Sequence, residues 1–395
     1  LKAVRHKPNV LLLVDSFDVG GAEGQILLLA RLLLESRRYG VHLACLNRRG
    51  KLHAEAERLG VGDIPEFPLT SFYDRNMARQ LRRLRAFLRE REVDVVHTEG
   101  FYTNVFGVTG AALARVPARV AFRGETGGWR TRKQNALERA VFRLASVVHA
   151  NSEAVKKFLL SEGVPESRIA VVYNGLDLAR VTPRASLTRA EALAACGLPT
   201  DGAQRFVTIV ANMRHEVKDH PMFLRAARRV RESVPEAAFV LAGEGELVPE
   251  FQRMADELGL DGAAFFPGRC DHVAELLYAS DVCVLSSKAE GFSNSILEYM
   301  GAARPVVATD VGGAREALGA DGEAGHLVAS GDDEALAARV IELLRDAEGA
   351  REMGARGRLR VERLFSAQVQ LERTAELYDR LLDGRKKYRG LRTEY

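Results

Sequence analysis

The sequence predicts two α/β domains, each a doubly wound parallel sheet with helices on both faces. Three observations carry this prediction. The chain has 395 residues, more than the roughly 250–300 at which a single core stops growing. Short continuous apolar runs, the mark of strands buried on both faces, alternate with stretches of helical period. Most of those runs end in a glycine-rich or polar turn, where sheets of this kind hold their ligands.

The first run is Val10 to Val14, too short for the core of a signal peptide and read as a strand. It ends in Asp15-Ser-Phe-Asp-Val-Gly20-Gly21-Ala-Glu23, and a helical pattern follows from Gln25 to about Leu34. Strand, glycine turn and helix let backbone amides approach a phosphate, although a need for positive φ accounts for the two glycines equally well. The turn is neither G-x-G-x-x-G nor a P-loop, since no Gly-Lys-Ser/Thr follows. The rhythm repeats with strands at 41–46, 94–97, 118–122 and 146–150, and helices at 52–59, 75–92 and 153–161. The carboxyl ends of these strands gather Gly20, Gly21, His97, Thr98, Glu99, Arg123, Gly124 and Glu125 on one rim. Trp129, the single tryptophan, follows Gly127-Gly128 in a polar segment and reads as a loop over the rim or as a surface anchor.

Residues 180–204, with Pro183, Gly197, Pro199 and Gly202, form the expected connection. The predicted domains are 1–182, 183–380 and a basic tail 381–395 that returns to the first domain or stands apart. The alternation restarts at Phe206–Ala211, which leads to Arg214 and Lys218. Two cations just past a strand end suit a diphosphate, or simply a solvated loop. Ala238–Ala242 leads to Gly243-Glu244-Gly245-Glu246, Ala264–Gly268 to Arg269, and Pro305–Thr309 to Asp310-Val-Gly-Gly313. Asp281–Leu285 leads to Glu290-Gly-Phe292-Ser293-Asn294-Ser-Ile-Leu-Glu298. A helix opening near Ser293 points unpaired backbone N–H groups outward, ready for an anion or a hydroxyl, with a glutamate on either side.

Charge and cysteine content narrow the partners. Residues 1–182 carry 29 Lys and Arg against 19 Asp and Glu, while the remainder carries 28 against 34. Two halves of opposite sign fit domains with different partners. The basic stretch Arg79–Arg91 carries Leu81, Leu84, Phe87 and Leu88 at helical spacing. It reads as the solvated face of a core helix or as a surface for anionic lipid headgroups. Nucleic acid is not expected, because stacking aromatics and a binding motif are both missing. The four cysteines are widely spaced with no C-x-x-C pair, so neither a disulfide framework nor a zinc site is expected, and a reducing cytoplasm is the default.

Taken in order, Gly20-Gly21-Ala-Glu23, Asn174-Gly175-Leu-Asp177, Gly243-Glu-Gly-Glu246, the Glu290/Glu298 pair and Val306-Val-Ala-Thr-Asp310-Val-Gly-Gly313 resemble glycosyltransferase family 4. The resemblance runs over nearly the whole chain and is most specific at 285–316. It implies the GT-B fold, two Rossmann-like domains facing each other across a cleft, and a retaining transfer from a nucleotide-diphospho-sugar, a UDP-sugar before a GDP-sugar. By matching position, Glu298 would hold the ribose and Glu290 the donor sugar. The amides of Phe292, Ser293 and Asn294 would meet the sugar or diphosphate. Arg214 and Lys218 would neutralise the diphosphate, Gly21 would allow close approach, and Gly243, Glu244 and Arg269 would lie near the base.

Two departures from the family pattern matter. The Arg214-to-Lys218 spacing is one residue shorter than usual, which leaves Lys218 the firmer of the two assignments. Arg123-Gly124-Glu125 stands where many members have a histidine, so Arg123 joins the catalytic candidates, with Glu125 on the acceptor rim and His97 there as a sugar contact or as a satisfied structural histidine. The chain has no Asp-x-Asp sequence, so no metal or other cofactor is expected. The implied partners are the nucleotide-sugar, a glycan, lipid-linked or small-molecule acceptor, and an anionic membrane surface touched from the cytoplasmic side. Oligomeric state is left open. The alternatives are a GT-B enzyme that does not transfer, such as a sugar-nucleotide epimerase or a phosphorylase, and a nucleotide-sugar-binding protein without turnover.

Overall fold

Among the described residues twelve strands, all in parallel pairs, build two six-stranded sheets. The structure, a computed structural model, describes residues 7–127, 130–200, 202 and 204–390, the side chains of 384–390 excepted. Trp129 and the side chains of the basic tail Arg385–Arg389 therefore lie outside the described residues.

The first sheet holds β1 (Asn9–Val14), β2 (Gly40–Cys45), β3 (Val93–Thr98), β4 (Ala118–Arg123), β5 (Val147–Ala150) and β6 (Ile169–Val171). Their order is β2-β1-β3-β4-β5-β6. Val10 to Leu13 are fully buried because helices cover both faces of the sheet. On one face lies the helix Gly21–Glu35, whose Leu27, Leu29 and Leu33 meet Leu12 and Val14. On the other lies the helix Arg75–Glu90, where Leu84 and Leu88 enter the core with Leu81 and Phe87 half-buried beside them. That is the stripe its spacing predicts. A π-helical turn, Asn104–Val108, interrupts the helical stretch after β3 and turns Asn104 inward.

The second sheet holds β7 (Arg205–Val210), β8 (Ala237–Ala242), β9 (Ala264–Gly268), β10 (Val282–Leu285), β11 (Val306–Thr309) and β12 (His326–Val328). Its order, β12-β11-β10-β7-β8-β9, is that of a nucleotide-binding sheet, with the direction of winding reversing between β7 and β10.

The chain divides into units 1–174 with 367–395, and 175–366. The expected boundary at 182/183 is therefore displaced, and the helix Ala367–Gly390 belongs with the first sheet, not the second. The reason is packing. Leu371, Ala375, Leu377 and Tyr378 join the core around β1 and the helix Gly21–Glu35. Leu176, by contrast, is fixed in the second unit by its N–H, which donates to Phe365 O at 2.8 Å. Sequence proximity cannot reveal a helix that returns to the first unit only after the whole of residues 175–366.

Candidate functional site

In the second unit the loops after β7, β8, β10 and β11 are built against one another. Gly243 lies so close to the turn after β7 that a Cβ there would stand 2.0 Å from Ala211 O. Met213 N donates to Glu244 O at 2.9 Å, and Gly243 N to Gly268 O at 2.8 Å. Gly312 has φ +55°, and a Cβ would stand 2.2 Å from Glu290 O. Only glycine reconciles that backbone with that approach.

The lysine loop is equally constrained. A 3-10 turn, Glu216–Lys218, ends at Asp219, whose left-handed φ of +45° is one that Asp tolerates. The Asp219 carboxylate then caps the helix His220–Ser233 by accepting from Met222 N. Ser286 Oγ, at the end of β10, donates to the carbonyls of Lys218 and Asp219 at 2.8 and 3.0 Å. Lys288 N donates to Val217 O.

The result is that Lys218 Nζ sits 2.6 Å from Glu290 Oε1, with Ser287 Oγ donating to the same oxygen at 2.6 Å. Both charged side chains are mostly sheltered, 25% and 12% exposed. They flank the point where the winding of the sheet reverses.

Next to them the helix Asn294–Gly301 begins, capped by Ser293 Oγ, which accepts from Ile296 N. Phe292 is buried on Phe365, ring centroids 5.1 Å apart. Tyr299 OH and Ser295 Oγ tie this helix to Val210 N and Val210 O at the end of β7. Glu298 stands one turn beyond Asn294 on the same face. Burial pushes its carboxyl pKa up, and Arg180 pulls it partly back. Arg214 pairs with Glu244 at 3.0 Å, so its guanidinium bridges the loops after β7 and β8. Arg269 pairs with Asp271 at 2.9 Å, and its Nη1 is buried with no hydrogen-bond partner among the described residues.

In the first unit the rim residues part company. Glu99 lines a pocket of about 360 Å³ together with Asp15, Glu23, Tyr102, Glu125 and Arg130. Gly21 opens the helix Gly21–Glu35 above Ala22 and Glu23, which line the same pocket. Arg123, expected among the catalytic cations, is 3% exposed and held at 2.5 Å by Glu138. Glu138 is also met by Arg130 and by Asn104 Nδ2. The Arg123 guanidinium lies over Phe158 as well, 5.1 Å from its centroid. Its charge is thus met inside the unit.

His97, expected on the acceptor rim, is 1% exposed and sits in a buried chain. Its Nδ1 lies 2.7 Å from Tyr378 OH and its Nε2 lies 3.1 Å from His149 Nδ1, while His149 Nε2 lies 2.8 Å from Val172 O. The carbonyl can only accept, so His149 donates from Nε2; with both rings neutral, His97 then donates to His149 and Tyr378 donates to His97. Every ring nitrogen is satisfied with both imidazoles neutral, the form that their burial favours.

Two family models match this chain: Glycosyltransferase Family 4 over residues 19–180 and Glycosyl transferases group 1 over residues 204–346. The chain belongs to glycosyltransferase family 4. EpsD of Bacillus subtilis is 36% identical over 166 residues, 42% of this chain and 43% of EpsD. A D-inositol 3-phosphate glycosyltransferase of Thermomonospora curvata is 32% identical over 246 residues, 59% of this chain and 56% of that protein. The matches thus span about half the length of each of these relatives. Among solved structures, HepE of Anabaena in complex with UDP-glucose aligns with a TM-score of 0.81 at 21% identity, covering 94% of this chain and 99% of that one. That likeness shows the fold, which is GT-B.

Sequence reasoning about this family 4 chain missed four residues. Ser287 precedes Glu290 by three residues in the loop after β10, and a hydroxyl between a strand end and a motif carboxylate is the available signal. Glu138 and Asn104, which hold Arg123, lie in ordinary helical patterns and gave none. Tyr378 completes the histidine chain from nearly three hundred residues away.

Proposed function

We propose that this protein transfers a hexosyl unit from a UDP-sugar, with retention and without a metal, to a glycan or lipid-linked acceptor in envelope or exopolysaccharide assembly. The observation that carries the reading is the Lys218–Glu290 pair, 2.6 Å apart, beside the amino end of the helix that bears Glu298. Charge builds on the departing diphosphate, and a fixed ammonium with backbone N–H groups aimed there lowers the barrier. Lys218 supplies that cation and the amides at Ser293 and Asn294 supply the donors. Glu298 accepts from ribose hydroxyls, and Glu290, already tied to Lys218, faces the transferred sugar. The UDP preference is supported by HepE, of the same fold and solved with UDP-glucose. The envelope setting rests on the Gly291–Met300 form of the glutamate motif.

Titration with UDP, GDP and ADP tests the donor. UDP is expected to raise the melting temperature by several degrees, since a ligand at a hundred times its Kd adds about 2.7 kcal/mol. The Glu298→Gln variant is expected to weaken UDP binding roughly tenfold, the loss of about one charged hydrogen bond. Glu290→Gln is expected to lower turnover with a smaller loss of UDP binding. No shift with any of the three nucleotides would remove the donor reading altogether.

A peripheral membrane contact is a further part of the proposal. Arg82, Arg85 and Arg89 lie on one exposed face of the helix Arg75–Glu90, and none is ion-paired among the described residues. Among the described residues no helix is long and apolar enough to cross a membrane. The protein is expected to float with vesicles containing phosphatidylserine at low salt but not with phosphatidylcholine alone, each arginine contributing about 1 kcal/mol. Reversing these three charges should abolish flotation. Equal flotation with neutral vesicles counts against the contact.

A further inference from the structure

Two thiols that the sequence sets far apart meet in the second unit. Cys196 follows the last residue of the helix Arg189–Ala195, and Cys270 stands in the turn after β9. Both are free cysteines. They share one hydrophobic cluster, in which Cys196 is buried with Leu193, Leu276 and Ala279 while Cys270 packs against it half-buried. Both sulfurs also touch the backbone of a single residue. Cys196 Sγ lies 3.8 Å from His272 O, and the Cys270 sulfur accepts from the His272 N–H. The two side chains are in hydrogen-bond contact with each other, Cys196 as the donor.

The other two cysteines supply the contrast. Cys45 and Cys283 are fully buried, and burial pushes each thiol up to about 12. A thiol held in its protonated form is inert, because the thiolate is the nucleophile. In the pair, the hydrogen bond from Cys196 holds the Cys270 thiol below its usual range, with the His272 N–H adding to it, while burial and the Asp271 and Glu275 charges oppose them. Cys196 is raised, by the same hydrogen bond and then by burial. One sulfur is thus favoured as the nucleophile, and its neighbour keeps a proton to give up. A partly exposed thiolate beside a second thiol is the arrangement that oxidation converts to a disulfide.

We propose that Cys270 and Cys196 form a reversible modification site, in which a peroxide oxidises Cys270 and Cys196 resolves it as a disulfide that ties the turn after β9 to the helix Arg189–Ala195. The Cys270 thiolate attacks a peroxide oxygen. An S–O bond forms as the O–O bond breaks, hydroxide leaves and takes up a proton as water, and Cys270 becomes a sulfenic acid. The Cys196 sulfur then attacks the Cys270 sulfur. The S–S bond forms, the S–O bond breaks, and the Cys196 proton leaves with the departing hydroxide as a second water. Two thiols and one peroxide thus give one disulfide and two waters, the sulfurs losing the two electrons that reduce the peroxide. A dithiol reductant returns the pair to thiols.

The turn that moves is the one that carries Arg269. Bonded sulfurs stand about 2 Å apart, well inside hydrogen-bond contact, so oxidation draws Cys270 towards the helix and shifts Arg269 with it. Arg269 Nη1 is buried with no hydrogen-bond partner among the described residues, and Gly268 O is held by Gly243 N at 2.8 Å. Resting on the donor reading, in which Gly243, Glu244 and Arg269 adjoin the base, the disulfide is expected to weaken UDP binding severalfold.

The test treats the full chain with a few equivalents of hydrogen peroxide and reads intact mass, thiol count in denaturant and non-reducing peptide maps. The wild-type monomer is expected to lose the mass of two hydrogens and two of its four thiols, to yield a peptide pair linked through Cys196 and Cys270, and to revert with dithiothreitol. Cys196→Ser is expected to stop at a sulfenic acid on Cys270 that dimedone traps, and Cys270→Ser to leave Cys196 unoxidised, with melting curves reporting that both variants fold. The wild-type map needs neither variant. No linked peptide, a link through Cys45 or Cys283 instead, or a sulfenic acid trapped on Cys196 would overturn the proposal. UDP is then titrated into the reduced and oxidised wild type, and equal affinities would overturn the effect on the turn. Absence of UDP binding in the reduced protein would sink the donor reading and leave a mapped disulfide standing.

Discussion

Replacing Lys218 by alanine is expected to lower kcat/KM for sugar transfer by roughly 10²- to 10³-fold, the usual effect of removing one preorganised group that meets developing charge. Ser286, Lys288 and the left-handed Asp219 fix the backbone on which Lys218 stands. Arg214 is engaged with Glu244. Removing the ammonium also leaves the sheltered Glu290 carboxylate with only Ser287 Oγ of the two partners just described, which would repel an incoming diphosphate. Both kcat and UDP affinity should therefore fall. Lys218→Arg should recover part of the binding and less of the rate, because its planar fork cannot reproduce a point charge at 2.6 Å from Glu290. Steady-state kinetics with UDP-glucose, alongside UDP titration, separates the two effects. A rate within a few-fold of wild type for Lys218→Ala would remove Lys218 from the mechanism.

The second large effect is loss of stability in mild acid. His149 is buried as a neutral ring, and burial pushes its pKa from 6.5 down to about 4. His97 moves the same way for the same reason, with the neighbouring His149 adding to it. Histidine in the unfolded chain takes up protons below about pH 6.5 while the folded rings do not, so the unfolded state binds more protons there. Stability is then fully present above pH 6.5 and falls as pH drops towards 4. For His149 the full loss is about 3 kcal/mol, of which about 2 kcal/mol has gone by pH 5. The group that titrates is sealed between β3, β5 and the helix Ala367–Gly390, with Tyr378 as the facing titratable group, its own pKa raised by burial. Urea unfolding at pH 7 and pH 5, followed through Trp129 in the first unit's sequence, measures the difference. His149→Gln is expected to be less stable at pH 7 and to lose much of the acid dependence. If the pH dependence of the variant equals that of wild type, another group is responsible.

The histidine chain also shows why some of these residues turn into the core while others come together. His97 stands at the carboxyl end of a strand, and by sequence such a residue belongs to a ligand rim. What removes it is Tyr378, delivered by a helix that the sequence places next to the other domain. Arg123 went the same way, through Glu138 on a helix with no distinguishing pattern. Lys218 and Glu290 stayed together for the opposite reason. Each follows directly on a strand of one parallel sheet, and β7 and β10 are adjacent, so the strand order brings their turns side by side.

What the sequence determined by itself is local and periodic. Apolar runs of four to six residues specified the strands, glycines specified turns that no side chain fits, and the Glu290–Glu298 spacing placed one carboxylate before a helix and the other one turn inside it. Strand order, the return of the last helix and the partners of buried charges were decided only in the tertiary structure. Those depend on contacts between residues 70 to 280 positions apart, and a contact at such separation leaves no period in the chain. Which polar groups remain available to a ligand is what is left after those contacts are made.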